Sequence, residues 1–148
     1  MKIDFDNRQD KLEITDEMYK IVEKSVEASL GALGIEKKAY VSVSFVDGEE
    51  IKNLNRDFRG VDRETDVLSF PMEEDFNDQL ILGDIVINME RVISQAKEFG
   101  HSETRELSYL TVHSTLHLMG YDHIEEEDKK IMRAKEKKIM DMLGIYRW

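Results

Sequence analysis

The chain has 148 residues, of which 41% are hydrophobic and 36% are charged, and it contains no cysteine. These values predict one compact domain over residues 1–148, and they exclude wholesale disorder, disulfides and thiolate chemistry. The formal net charge of −11 argues against nonspecific binding to nucleic acid, because phosphate binding depends largely on Lys and Arg.

The first third of the chain predicts a strand, a helix and a second strand. Residues 2–6 alternate weakly between apolar and polar side chains, as a strand does. Thr15 is a typical helix N-cap, and apolar residues then recur near the 3.6-residue period until Gly34, which is placed to end the helix. Residues 41–45 alternate valine or phenylalanine with serine, which predicts a strand covered on one face.

The middle of the chain predicts a short helix and a third strand. Asp47 and Gly48 indicate a turn, after which a helix runs through residues 51–54. Residues 65–70 have the β-branched and aromatic content of a strand. We expect this strand to stop at Pro71, the only proline, because proline has no donor for a β-ladder.

The rest of the chain predicts a polar loop over residues 73–79, a fourth strand over 80–88, and two long helices over about 102–119 and 125–143. The predicted order of elements is β-α-β-α-β-β-α-α-α, in which a further helix lies between the fourth strand and the two long helices. This order favours an α+β fold with a single mixed sheet of about four strands, packed with about five helices.

Three of the four histidines fall within eleven residues, at His113, His117 and His123. On a helix, the first two are one turn apart, so both imidazoles leave the same face and can reach one ion. Gly120 can adopt positive φ and fold the chain back, so that His123 supplies a third nitrogen. Three ligands leave a fourth position on tetrahedral zinc for water, as in catalytic zinc sites. Nickel or copper could use the same ligands.

A chance cluster of surface or core histidines is the alternative, and for the first pair alone it would have about even odds. The third histidine behind a glycine makes the metal site the better interpretation. His101 has no partner at ligand spacing, so we interpret it as structural or solvated. Asp84 and Asp122 could orient a ligand or only cap local structure, and we leave both open.

The histidine spacing also matches the zinc-binding frame of the metzincin proteases, in which a glutamate general base follows the first histidine. Ser114 occupies that position here. A serine hydroxyl does not take a proton from water at neutral pH, so peptide hydrolysis by that mechanism lacks its base. A metzincin-like zinc protease therefore remains only an alternative.

Residues 51–63 form a local basic segment, with four cationic side chains against Asp57 and Asp62. From charge alone this is a solvated helix end, and Arg59 would make a surface salt bridge to one of these aspartates.

The segment from Asn55 to Pro71, NRDFRGVDRETDVLSFP, and the histidine run together resemble the YbeY-type endoribonuclease family, bacterial rRNA maturation factors with a three-histidine metal site. Residues 82–87, LGDIVI, are also similar to a family strand. The similarity covers about residues 53–128. In the family pattern glycine follows the first histidine and proline precedes the threonine, whereas this chain has Ser114 and Glu64.

The resemblance implies that His113, His117 and His123 bind one Zn²⁺, or Ni²⁺ or another divalent ion, and that Arg59 acts at the RNA site. It implies a single-strand-specific endoribonuclease in rRNA maturation, including 16S rRNA 3′ end processing, and in ribosome quality control. RNA, and the ribosome or its associated proteins, would be the partners. No run approaches the ~18 apolar residues of a membrane span, so we expect no membrane partner and a cytoplasmic location. The rival is a ribosome-associated binding protein with a structural metal.

Overall fold

The computed structural model describes residues 1–76 and 78–145. The elements in these ranges follow the predicted order. The strands are β1 (Lys2–Asn7), β2 (Lys38–Val46), β3 (Val67–Phe76) and β4 (Gln79–Asn88). The helices are α1 (Asp16–Ala32), α2 (Gly48–Arg59), α3 (Met89–Phe99), α4 (Glu103–Leu118) and α5 (Glu126–Met142). No helix in the described part of the chain combines the length and apolarity that crossing a membrane requires.

The four strands form one sheet in the order β1-β2-β4-β3. β1 and β4 both run parallel to β2, and β3 runs antiparallel to β4. Parallel neighbours need a crossover connection, which α1 supplies between β1 and β2. The predicted α+β class with a single mixed sheet is therefore confirmed.

Helix α4 is buried on two sides, and this burial positions the functional site. Leu107, Leu110 and Leu118 join the core between the helices and the sheet, whereas Val112 and Leu116 pack against α5. Since apolar residues surround most of this helix, it is a central helix rather than an amphipathic surface helix. Its polar side chains therefore have only a narrow face through which to reach solvent.

Local capping explains where several helices begin. The Thr15 hydroxyl accepts a hydrogen bond from the Met18 backbone N–H at 3.2 Å, as the sequence predicted for the start of α1. Asp47 caps α2 in the same way through the Glu50 N–H at 2.9 Å. The predicted turn at Asp47 and Gly48 is thus the start of the helix itself.

The expected end of β3 at Pro71 is wrong, and so is the loop predicted over residues 73–79. β3 continues to Phe76 along the edge of the sheet, β4 begins at Gln79, and Asn77 of the predicted loop lies outside the described residues. An edge strand tolerates proline, and the pairing register shifts between Pro71 and Glu74, as at a β-bulge. Gly83 faces Pro71 at φ +129, and a Cβ there would lie 2.1 Å from the Phe70 carbonyl oxygen, so only glycine fits.

Candidate metal centre

Helix α4 places two of the three predicted ligands next to each other. His113 and His117 are one turn apart, and their Nε2 atoms are 3.1 Å apart. The rings meet edge to face, with centroids separated by 4.6 Å. Because the other faces of α4 are packed, these two imidazoles line the open side of the helix, and both line one cavity.

The loop after α4 brings the third histidine back to this pair. Gly120 has φ +95, as the sequence predicted, and it lets the chain reverse directly after the helix. The ring of His123 lies 5.4 Å from that of His113 and 5.1 Å from that of His117, measured between centroids. One ligand atom from each histidine lies within 4.8 Å of the others, so the three could hold one metal ion.

A hydrogen bond fixes the orientation of His117. Its Nδ1 lies 2.8 Å from the Tyr121 backbone carbonyl oxygen, which can only accept, so Nδ1 carries the proton and donates. The Nε2 atom of His117 then carries a lone pair, and this atom lies on the side of His113. Burial lowers the pKa of His117, and the neighbouring His113 lowers it further. Both effects favour the neutral imidazole, which is the form that binds metal.

His113 has a different neighbour behind it. Its Nδ1 lies 3.5 Å from Oε1 of Glu136, a buried carboxylate on α5. Beneath the ring lies Tyr109, whose centroid is 6.1 Å away. Burial raises the pKa of the Tyr109 phenol well above its usual range, and the nearby Glu136 charge adds to that shift.

A second part of the cavity lining comes from the end of α2 and from the segment that leads into β3. Arg59, the last residue of α2, lines the same cavity as the three histidines. It is exposed and makes no salt bridge within the described ranges, and the expected partner Asp57 is bonded instead to Arg56 at 3.1 Å. The cavity has a volume of about 750 Å³. The guanidinium and the imidazoles thus share one open space.

Two buried asparagines hold the segment that follows Arg59. Asn55 donates through Nδ2 to the Arg63 carbonyl oxygen at 3.0 Å. Asn88 donates to the Thr65 carbonyl oxygen at 3.1 Å and to Oε1 of Glu64 at 3.2 Å. Glu64, where the family pattern has proline, is therefore part of this anchoring.

Sequence reasoning did not assign several residues that line the cavity. Thr65, Asp66 and Ser69, at the start of β3, face it from the side of Arg59, and Ile124 lies at its rim with 83% of its surface exposed. Thr65, Asp66 and Ser69 lie inside the motif that resembles the family, but their spacing does not predict which way each side chain points. Glu136 lies outside that motif, in a helix whose pattern indicates only packing.

Of the three remaining polar candidates, only Asp122 lines the histidine cavity. His101 lies 2.9 Å from buried Glu106 and does not line the cavity, so it is structural rather than solvated. Asp84 is exposed on the sheet and lines a different cavity with Asp6 and Arg8. Asp122 lines the histidine cavity, and its carboxylate accepts from the Ile124 N–H at 3.4 Å, which shapes the loop.

The donor set fits a first-row divalent cation. Two nitrogen ligands at 2.0–2.1 Å on tetrahedral zinc are about 3.3 Å apart, close to the 3.1 Å between the two Nε2 atoms. Imidazole nitrogens suit zinc, nickel, copper and iron rather than calcium or magnesium. The fold and this centre define a small α+β protein with a three-histidine metal site at one end of a buried helix.

Comparison with known proteins places the chain within a family of this class. The profile of the family described as Endoribonuclease YbeY matches residues 4–144. The chain therefore belongs to the YbeY endoribonuclease family, as its motifs suggested.

Curated relatives and a solved structure agree with that family. A Clostridium kluyveri protein named Endoribonuclease YbeY is 49% identical, over 91% of this chain and 94% of its own. One of the same name from Caldicellulosiruptor bescii is 48% identical, over 99% of this chain and 100% of its own. The solution structure of TM1509 from Thermotoga maritima aligns with a TM-score of 0.64 and 34% identity, over 97% of this chain and 90% of that one.

Proposed function

We propose that this protein is a single-strand-specific, metal-dependent endoribonuclease that acts in rRNA maturation, including 16S rRNA 3′ end processing, and in ribosome quality control. The observation that carries the proposal is the shared cavity, which Arg59 and the three histidines line together. Membership of the Endoribonuclease YbeY family supports the reaction class, the hydrolysis of RNA phosphodiester bonds.

Zn²⁺ is the proposed ion, one per chain, and Ni²⁺ or another divalent ion fits the same three nitrogens. When bound, the ion would supply a Lewis acid for a phosphoryl oxygen and lower the pKa of water toward neutrality. His113 and His117 serve this role without rearrangement, since their Nε2 atoms already converge. His123 closes the set from the loop.

Arg59 is proposed to hold the scissile phosphate. A guanidinium stays charged and offers a planar fork of donors that matches phosphate oxygens. Donors that are already placed where negative charge develops can stabilise the transition state strongly. Because Arg59 has no salt bridge among the described side chains, it need not give up a carboxylate partner to bind RNA.

The charge of the chain limits how RNA can be held. With a net charge of −11, attraction must be local, and Arg59 at the end of α2 supplies it inside the cavity. The cavity is also lined by Val67, Pro71 and Ile124, apolar surface against which unpaired bases can pack. These features favour single-stranded RNA. The proposal extends to a cytoplasmic location and to the ribosome or its associated proteins as partners.

The protease alternative loses support in the structure. Ser114 occupies the position of the metzincin glutamate, and it is fully buried in α4 and does not line the cavity. A binding protein with a structural metal is the other rival. Structural zinc sites usually have four protein ligands, whereas the grouped ligands of the described residues are three histidines.

The test is cleavage of a single-stranded RNA by the purified protein with and without chelator, together with metal analysis of the same sample. We expect one metal per chain, and cleavage that stops on chelation and returns with Zn²⁺. A duplex of the same sequence is the matched substrate control and should resist cleavage. Bound metal without RNA cleavage would favour the binding protein. Chelator-sensitive cleavage of casein, lost in the His113→Ala variant, would favour the protease.

A further inference from the structure

We infer that Glu136 is a positioning residue of the metal centre, which accepts a hydrogen bond from Nδ1 of His113 and balances the charge of the bound cation from behind. The inference rests on the proposed metal site. It adds a residue from α5, a helix that contributes none of the three histidines.

The burial of Glu136 requires a partner. Its side chain is only 7% exposed, and Nδ1 of His113 lies 3.5 Å from Oε1. The Tyr109 phenol is a second donor that interacts with this carboxylate, but it carries no positive charge. Oε2 is buried and has no hydrogen-bond partner within the described ranges. A buried carboxylate is costly unless a charge or several donors compensate it. A cation held by neutral histidines would supply that charge on the other side of the ring.

The geometry directs the imidazole toward the cluster. When Nδ1 of His113 faces the carboxylate, Nε2 faces His117 at 3.1 Å. His117 is held in the same way by the Tyr121 carbonyl oxygen. Both helical ligands therefore have an acceptor at Nδ1, and an acceptor there fixes the tautomer whose Nε2 lone pair can bind metal. The gap of 3.5 Å is long for a hydrogen bond, and such contacts commonly shorten when a ligand binds.

A purely structural role would look different. The residues of α5 that pack on α4 are apolar, namely Met132, Ile139 and Met140, and they make their own core cluster with Val112 and Leu116. Glu136 interrupts this apolar surface with a charge placed behind a metal ligand. If Glu136 only anchored α5, a neutral side chain of the same shape would serve as well or better.

The experiment compares Glu136→Gln with wild type and with Glu127→Gln, a matched change on the same helix at a side chain that is 83% exposed. Zinc affinity is measured by chelator competition, and ligand geometry by the visible spectrum of the Co²⁺ form. We expect Glu136→Gln to bind zinc about 10 to 100 times more weakly and to change the Co²⁺ spectrum. Its metal-free melting temperature should stay equal or rise, and Glu127→Gln should match wild type throughout. Glu136→Asp should recover part of the affinity.

Three outcomes would overturn the inference. One is unchanged zinc affinity in Glu136→Gln, and another is an unchanged Co²⁺ spectrum. The third is a fall in metal-free melting temperature that accounts for the whole loss of zinc, which would make the role structural. If Glu136→Gln does not fold, Glu136→Asp is read by the same criteria. A wild-type protein that binds no metal would instead refute the proposed centre itself.

Discussion

The two walls of the cavity differ in how firmly the rest of the molecule holds them. On the histidine wall, His113 is only 18% exposed, and both helical imidazoles have an acceptor close to Nδ1. On the arginine wall, Arg59 is exposed at the end of α2 and has no salt bridge among the described residues. The histidine wall is organised before any ligand binds. The arginine wall presents a cationic side chain without a salt bridge in the described part of the chain.

Under the proposed function, this difference suits the two kinds of ligand, a metal ion and an RNA phosphate. A metal ion demands short distances and a fixed geometry, which a packed helix supplies at little further entropy cost. An RNA phosphate tolerates a long side chain that orders only on binding, at a cost of about 0.5 to 1.5 kcal/mol. Histidine substitutions should therefore reduce metal binding and cleavage together, whereas Arg59 substitutions should reduce cleavage and leave the metal bound.

The largest effect is expected from His117→Ala on the histidine wall. Protein zinc sites bind with roughly 10 to 16 kcal/mol, so one ligand of three is worth about 3 to 5 kcal/mol, or at least about a hundredfold in affinity. Zinc content after dialysis against a weak chelator should fall from one per chain to nearly none. Equal metal content in wild type and variant would refute the centre.

His123→Ala sharpens the same prediction within the histidine wall. His123 is exposed and lies on the loop after Gly120, so packing restrains its side chain less than that of His117, and metal binding costs more side-chain entropy there. Its removal should weaken zinc binding less than removal of His117, by about 10- to 100-fold. A loss equal to that of His117→Ala would show that the loop is as well organised as the helix.

Arg59→Ala should differ from His117→Ala by losing cleavage while keeping the metal. Losing one preorganised donor to a transition-state oxyanion costs about 3 to 4 kcal/mol, or roughly 10² to 10³ in rate. Single-turnover RNA cleavage should fall by that factor, while zinc content and melting temperature stay at wild-type values. Arg59→Lys should recover cleavage only in part, because it restores charge without the planar fork.

The neighbouring Arg56→Ala is the control for Arg59, since Arg56 pairs with Asp57 at the surface. An exposed pair of this kind is worth under about 1 kcal/mol, so cleavage should change little. Near-wild-type cleavage by Arg59→Ala would remove Arg59 from the site. If Arg59→Ala lost zinc as well as cleavage, Arg59 would be needed to hold the metal centre together.

Ser114→Ala tests the packing of the buried side of α4, which does not line the cavity. Ser114 follows His113 in α4 and is fully buried, and its hydroxyl has no hydrogen-bond partner in the described structure. Removing an unpaired buried hydroxyl, with a gain in helix propensity, should raise the free energy of unfolding by about 1 kcal/mol. Chemical denaturation of the metal-free wild type and variant measures this change in the free energy of unfolding.

Ser108→Ala is the matched control on the same helix. Ser108 is equally buried, but its hydroxyl lies 2.7 Å from that of Ser25. Its removal should lower the free energy of unfolding by about 1 kcal/mol. Destabilisation by both changes would mean that the Ser114 hydroxyl has a partner after all.

The smallest effect concerns pH and the metal-free protein. Burial, with His113 beside it, lowers the pKa of His117 below its usual value of 6.5. The unfolded chain therefore takes up a proton at this position before the folded chain does, so stability should fall as the pH drops through about 6.5. Melting temperatures from pH 7.5 to 5.5 should show this slope, and His117→Gln should reduce it. Arg59→Ala should keep the slope, because arginine does not titrate there.

Local patterns along the chain determined most of the secondary structure. The element order, the Thr15 cap and the turn at Gly120 follow from local propensities and side-chain spacing, which act over a few residues. The end of β3 did not follow, because the effect of Pro71 depends on whether the strand lies at an edge of the sheet. That position is set by how distant strands pair.

The candidate site also contains residues that local spacing predicts and residues that only the fold brings together. The spacing of His113, His117 and His123 predicted that they could share one ion, because the helical repeat relates the first two and a glycine turn returns the third. The approach of Arg59 to these residues followed only from family resemblance, and Glu136 was not predicted at all. The shared cavity and the contact of Glu136 with His113 both join residues that are far apart in sequence, so they exist only once α2, α4 and α5 have packed around the sheet.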